Sequence, residues 1–210
     1  MRTNCVVKLG QLRRTDLRPA ALILGRAMRD NPMHLQVFAI SDPEHRRRAL
    51  ERFFRPVLLG LLLRGLIYGA YRDHALVGIC GMARPGSCQP TPLEKLRVVP
   101  AVVFGNPLRA ALRVLNWTEA WAHRDPAEPH WHLGPVAIEP SLQRQGIGSA
   151  LLTAFCAQRD ADGAVAYLET DRQSNVHFYQ KFGFAVVAEA NVMGVLNWFM
   201  SRPGGHPRKA

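Results

Sequence analysis

The run Gln143-Arg144-Gln145-Gly146-Ile147-Gly148 is where chemistry is most legible in this chain. A strand-like segment, Trp131 to Ile138, precedes it, and a short loop, Glu139-Pro140-Ser141-Leu142, joins the two. A helical pattern follows from Ser149 to Asp160, with Leu151, Leu152, Phe155 and Cys156 at the apolar positions. The glycines therefore fall where a strand hands over to a helix. The first turn of a helix has free backbone N–H groups and the positive end of its dipole. Glycine lets an anion approach them, because no Cβ intervenes. The expected chemistry is phosphate binding. It is not a P-loop, since no Gly-Lys-Ser/Thr follows. A dinucleotide fingerprint also fails, because Leu151 stands at the third glycine position.

Other residues point to proton transfer and backbone contacts. His132 has a side chain that titrates near neutrality and so could take a proton from an ammonium group. Glu169 closes a second strand and could serve as base or hold a cationic acceptor. Gly134-Pro135 interrupts the central strand, and proline donates no ladder hydrogen bond, so pairing must break or bulge there.

The spacing Gln-x-x-Gly-x-Gly, followed by Asn175-x-x-Phe178-Tyr179-x-x-x-Gly183-Phe184, resembles the GCN5-related N-acetyltransferases (GNAT). The resemblance is firm from Trp131 to about Phe199. Leu168-Glu169-Thr170 and the short gap from Asn175 to Tyr179 resemble the subset that includes puromycin N-acetyltransferase. What the resemblance implies is acetyl-CoA as cosubstrate and direct attack by an amine in a ternary complex. Gln143, Arg144, Gln145, Gly146, Ile147, Gly148 and Ser149 would hold the diphosphate. Val136, Ala137 and Ile138 would pair with pantetheine, and the Val136 N–H would polarise the thioester. Asn175 would bond the pantetheine arm or cap its helix, and Phe178 would pack beside the coenzyme. Tyr179 would protonate the departing thiolate. His132 occupies the place where some members have a catalytic glutamate, and Glu169 is its rival. The implied acceptor is a small primary amine. A protein lysine or N-terminus, or a non-catalytic acyl-CoA-sensing domain, are the alternatives.

The remaining elements must position these groups. The chain has 210 residues, enough for one domain with a full core, read here as residues 1–201 with a basic, disordered tail over 202–210. Its 48% hydrophobic and 20% charged residues exclude a disordered chain. A net charge of +11 attracts anions, coenzyme A among them. The basic residues are dispersed, which argues against nucleic acid. Arg46-Arg47-Arg48 reads as a solvated helix face.

Cys5, Cys80, Cys88 and Cys156 are scattered, with no Cys-x-x-Cys pair and no matching histidine spacing, so no metal is expected. Met1-Arg2-Thr3-Asn4 lacks an apolar signal core, and Pro56 to Ala70 is too short to span a bilayer, so a cytoplasmic monomer or homodimer is expected.

Cys5 to Leu9 reads as a first strand. A first helix follows Asp16 as N-cap and stops at Asn31-Pro32. Ser41-x-x-Glu44 reads as the capping box of a second helix, whose apolar side carries Leu50, Phe53, Phe54, Val57, Leu61 and Leu62. The resemblance implies that these two helices and their connection cover the acceptor side, which makes Met33 to Phe38 a candidate substrate wall or ordinary interhelix packing. A hairpin turns at Arg72-Asp73-His74. Thr91-x-x-Glu94 caps a third helix that Pro100 breaks, and a fourth begins near Pro107. Trp117 and Trp121 lie one turn apart, either packed on the sheet or lining an apolar cleft. Final strands are placed at Ala164 to Leu168, Phe184 to Val187 and Trp198 to Met200. The expected fold is one mixed, mostly antiparallel α/β sheet of six to seven strands. Its central strand splays, and helices cover both faces.

Overall fold

A hairpin turns at Asp73-His74, as expected. It pairs β2 (Gly65–Arg72) with β3 (Ala75–Ala83). The computed structural model describes residues 7–103 and 108–204. The other strands are β1 (Lys8–Gln11), β4 (His130–Ile138), β5 (Val165–Thr170), β6 (Ala185–Val192) and β7 (Val195–Arg202). They form one seven-stranded sheet in the order β1-β2-β3-β4-β5-β7-β6. Every pairing is antiparallel except β4 with β5.

Alternation along the strands divides the core in two. Ile67, Ile79, Tyr167 and Phe199 point to one face. There they meet α1 (Leu17–Ala27), α2 (Pro32–Phe38), α3 (Pro43–Arg64), α4 (Pro92–Val103) and α5 (Leu108–Ala122). Cys80, Met82, Leu133 and Leu168 point to the other. That face is covered by α6 (Ile147–Asp162) and α7 (Gln173–Gln180).

Two features of β4 matter for function. Its parallel ladder with β5 covers only His130, Trp131 and His132, against Val165, Ala166 and Tyr167. Beyond that the strands part, and Val136 to Ile138 keep β3 on one edge only. This is the expected splay. On the β3 side, Met82 faces Leu133 and Cys80 faces Val136, so Gly81 stands opposite both Gly134 and Pro135. That is a bulge. A Cβ on Gly81 would lie 2.9 Å from the Gly134 carbonyl oxygen, so only glycine fits.

Several local expectations are corrected. Pro32 does more than stop α1: it is the first residue of α2, which turns Met33 to Phe38 into a helix. The N-cap of α3 is Asp42, whose carboxylate accepts from the His45 N–H at 2.6 Å, and not Ser41. Asp16 is the N-cap residue of α1, as expected, but its carboxylate accepts from the Arg13 N–H and the Tyr71 hydroxyl and makes no cap bond to the helix. Pro100 lies inside α4, which continues to Val103. The helix α6 is longer than expected at both ends, stopping at Gly163 in the left-handed region. Arg46 is buried: it donates to the Arg29 and Ile40 carbonyls and pairs with Asp30, so only Arg48 of that triplet is exposed.

Thr91 and Glu94 do form a capping box, with bonds of 2.7 and 3.3 Å. Arg202, assigned to the tail from the sequence, is the last residue of β7, and the Pro203 carbonyl accepts from Arg159. Cys5, Val6, Pro107 and residues 205–210 lie outside the described residues. Among the described residues no helix is long and apolar enough to cross a membrane.

Candidate active site

The start of α6 is built to meet an anion. Arg144 and Gly146 both have positive φ, 61° and 83°. They turn the chain so that Gly146 caps the helix and the Ala150 N–H makes the first helical bond, to the Gly146 carbonyl at 3.0 Å. The N–H groups of Gly146, Ile147, Gly148 and Ser149 are thus left without a carbonyl partner in the helix. No atom lies within 4 Å of where a Gly146 Cβ would stand, so the approach is open. Gln143 anchors the loop to the splayed strand by donating to the Ile138 carbonyl at 3.2 Å.

One cavity of about 810 Å³ joins this loop to the rest of the site. Val136, Ala137, Ile138, Gln143, Arg144, Gly146, Ile147, Gly148, Ser149, Asn175, Phe178 and Tyr179 all border it. Gln145 does not; its side chain is exposed and accepts from Arg72 at 3.1 Å. His132 and Glu169 border the same cavity, as do Trp117, Trp121, Phe53 and Phe54.

Tyr179 stands on α7, packed between Phe178 and Phe184 at ring distances of 5.4 and 5.9 Å. Among the described residues its hydroxyl has no hydrogen-bond partner. Burial, with Cys80 and Asp171 nearby, pushes the phenol well above its ordinary pKa, so it keeps its proton at neutral pH. Asn175 does not cap α7, whose N-cap is Arg172. It donates to the Thr170 hydroxyl at 3.1 Å and faces the cavity.

His132 and Glu169 are brought together by the last paired register of β4 and β5. His132 Nε2 lies 3.0 Å from Glu169 Oε2, and the Glu169 side chain is only 2% exposed. The other carboxylate oxygen, Oε1, is buried without a partner. Burial alone would lower the His132 pKa, but Glu169, Cys88 and Asp125 outweigh it and hold the ring at about 10.

Asp171 and Arg172 border the cavity without a signal in the sequence, and His34 was expected there only as part of the Met33 to Phe38 wall. Asp171 follows the strand end and accepts from the Met33 N–H at 2.8 Å, so it caps α2 from across the fold. Arg172 donates to the Asp30 carbonyl. His34 faces the cavity from α2 inside an aromatic cluster, 5.4 Å from Trp117 and 5.7 Å from Phe54, with neither nitrogen bonded. Only Met33 and His34 of the expected Met33 to Phe38 wall border the cavity; Val37 and Phe38 are core.

Burial, with a smaller contribution from Arg172, holds His34 down at about 3, against 6.5 when free. Above pH 6.5 the ring is neutral in both folded and unfolded chains. Below it only the unfolded chain gains a proton, so stability is lost as pH falls from 6.5 towards 3. His34→Phe keeps the packing and removes that loss. Urea unfolding at pH 7 and pH 5 should show the native protein losing about 2 kcal/mol more than the variant. Equal losses would mean that His34 charges in the folded state.

Residues 111–186 match the family model for the acetyltransferase (GNAT) domain. Over these residues the chain resembles a GNAT domain. The match spans both the glycine run and the Asn175 to Phe184 segment. Solved structures extend the likeness to the whole chain, as one of fold. The crystal structure of "histone acetyltransferase HPA2 and related acetyltransferase" from Corynebacterium glutamicum has a TM-score of 0.73 at 22% identity, covering 97% of this chain and 99% of that one. The PaiA N-acetyltransferase of Thermoplasma acidophilum, solved with coenzyme A, has a TM-score of 0.59 at 15% identity, covering 94% and 99%. A GNAT acetyltransferase of Brucella melitensis, solved with acetyl-CoA, has a TM-score of 0.51 at 18% identity, covering 97% and 91%.

Proposed function

We propose that the chain is an acetyl-CoA-dependent N-acetyltransferase that acylates a small primary amine bearing an apolar or aromatic part, by direct attack in a ternary complex. The observation that carries this reading is the single cavity linking the α6 N–H cradle, Tyr179, the Glu169–His132 pair and the Trp117–Trp121 wall. The N–H groups of Gly146, Ile147, Gly148 and Ser149 hold the diphosphate, with Arg144 beside them. Val136, Ala137 and Ile138 offer their unpaired edge to pantetheine, and the Val136 N–H polarises the thioester carbonyl.

Both ring nitrogens of His132 face carboxylates, Nε2 at Glu169 and Nδ1 towards Asp125. Glu169 Oε1 is therefore the atom left to hold the amine and take its proton. His132 positions it. Tyr179 gives its proton to the leaving thiolate. The wall of Trp117 and Trp121, rings 4.9 Å apart, favours an acceptor with an apolar or aromatic part. The resemblance to the puromycin-acetylating subset favours a small primary amine. Free, reduced thiols at Cys80, Cys88 and Cys156 accord with a cytoplasmic setting.

Calorimetry with acetyl-CoA, followed by thiol release across a panel of amines, tests the reading. Saturable binding and amine-dependent thiol release are expected, with aromatic amines showing lower KM than short alkyl amines. Trp121→Ala should raise the aromatic amine's KM about tenfold and leave that of acetyl-CoA unchanged. Release only with peptides would move the acceptor to a protein. Binding without any turnover would make the chain a sensor, and no binding would sink the coenzyme assignment.

A further inference from the structure

Four side chains from three segments converge beside β4. Cys88 lies on the β3–α4 connection and Asp125 on the α5–β4 connection, while His130 and His132 share one face of β4. A sulfur, a carboxylate oxygen and two imidazole nitrogens, one from each residue, lie within 4.8 Å of one another. Spacing along the chain hid this set, because its members are joined only in space. The His-x-His pair on a strand was the one visible sign.

The hydrogen bonds show what the cluster is prepared for. His130 Nδ1 lies 2.9 Å from the Glu128 carbonyl, a contact that only an N–H makes, so the lone pair sits on Nε2. That Nε2 is buried without a partner, on a residue only 3% exposed. His132 donates through Nε2 to Glu169, and its Nδ1 is likewise buried and unpartnered. Asp125 Oδ2 accepts from Gln89 and from the Cys88 thiol, while Oδ1 has no hydrogen bond. Oδ1 stands 3.8 Å from His132 Nδ1, too far for a hydrogen bond. Ligands held tetrahedrally about 2.0–2.3 Å from one ion are about 3.3–3.8 Å apart. Left bare, each buried atom carries a desolvation penalty that a bound ion removes.

We propose that Cys88, Asp125, His130 and His132 form a four-coordinate site for a divalent transition metal ion, zinc by preference. Thiolate, imidazole and carboxylate together select zinc over calcium or magnesium. On binding, the ion replaces the Cys88 thiol proton and any proton on His132 Nδ1, both released to solvent. Glu169, by accepting from His132 Nε2, fixes the ring with its lone pair towards the ion. All four positions are taken by protein, so the ion ties the α4–α5 excursion to β4 and holds the wall of the acceptor end. The site goes beyond the acyl-transfer reading and shares His132 with it.

The test uses the full, tag-free chain, stripped with a chelator and titrated with cobalt(II) and zinc(II). One cobalt per chain is expected, with the visible bands of a tetrahedral ion and a near-ultraviolet sulfur-to-metal band. Cys88→Ser should abolish the sulfur band, and Cys156→Ser should keep it. Asp125→Asn, nearly isosteric, and His130→Ala should each weaken zinc at least about 100-fold in competition with a chromogenic chelator. Circular dichroism identifies any variant that fails to fold. Absence of stoichiometric binding, or a sulfur band that survives Cys88→Ser, would overturn the site and leave the cluster as a charge-paired imidazolium. These readouts are independent of acetyl transfer.

Discussion

Tyr179→Phe lowers kcat for acetyl transfer about 10²–10⁴-fold and leaves acetyl-CoA affinity unchanged. The substitution removes one oxygen and keeps the ring that packs between Phe178 and Phe184. What is lost is a proton that burial holds on the phenol. In the proposed reaction that hydroxyl, on a residue that borders the cavity, is the neutral donor to the leaving thiolate. Because the pKa is pushed up, the proton is still present at pH 8 to 9, where amines are better nucleophiles. The native rate should therefore not fall through the range where a free phenol titrates, near pH 10. Steady-state kinetics paired with calorimetry decides the matter. A kcat within about threefold of native would return Tyr179 to a purely packing role.

Gly146→Glu should weaken acetyl-CoA binding at least about 100-fold, a loss of about 2.7 kcal/mol. Two effects act together. A non-glycine residue at φ 83° costs about 1 kcal/mol. The larger effect is a carboxylate placed where four N–H groups await a phosphate. Gly146→Ala separates them, since it carries the strain without the charge. Alanine should cost binding about tenfold at most. If both variants bind like the native chain, the diphosphate lies elsewhere and the +11 charge needs another explanation.

Local chemistry was readable wherever a residue acts through its own backbone. The open start of α6 at Gly146, the Gly134-Pro135 bulge and the Thr91 box all follow from glycine, proline and capping preferences at single positions. Helix bounds were less so. Pro32 and Pro100 were read as stops, yet a proline in the first turn starts a helix, and one further in is tolerated when packing holds both halves. Arg46 was assigned to solvent because its partners, the Arg29 and Ile40 carbonyls, come from turns that periodicity does not locate. The same limit applies to the site. Asp171 capping α2, and Cys88 meeting His130, are contacts between segments remote in sequence. No pattern along the chain encodes them.

The two ends of the cavity differ in how the chain supplies them. Every residue of the donor end, from Val136 to Tyr179, comes from one stretch of consecutive elements around β4, α6 and α7. The walls of the acceptor end come from α2, α3, α4 and α5 on the opposite face of the sheet, and only Glu169 and His132 reach it from the donor stretch. Mutation can therefore redraw the acceptor end, helix by helix, while the donor end stays as it is. Under the proposed function, a change of amine then calls for substitutions in those helices and not in the coenzyme end.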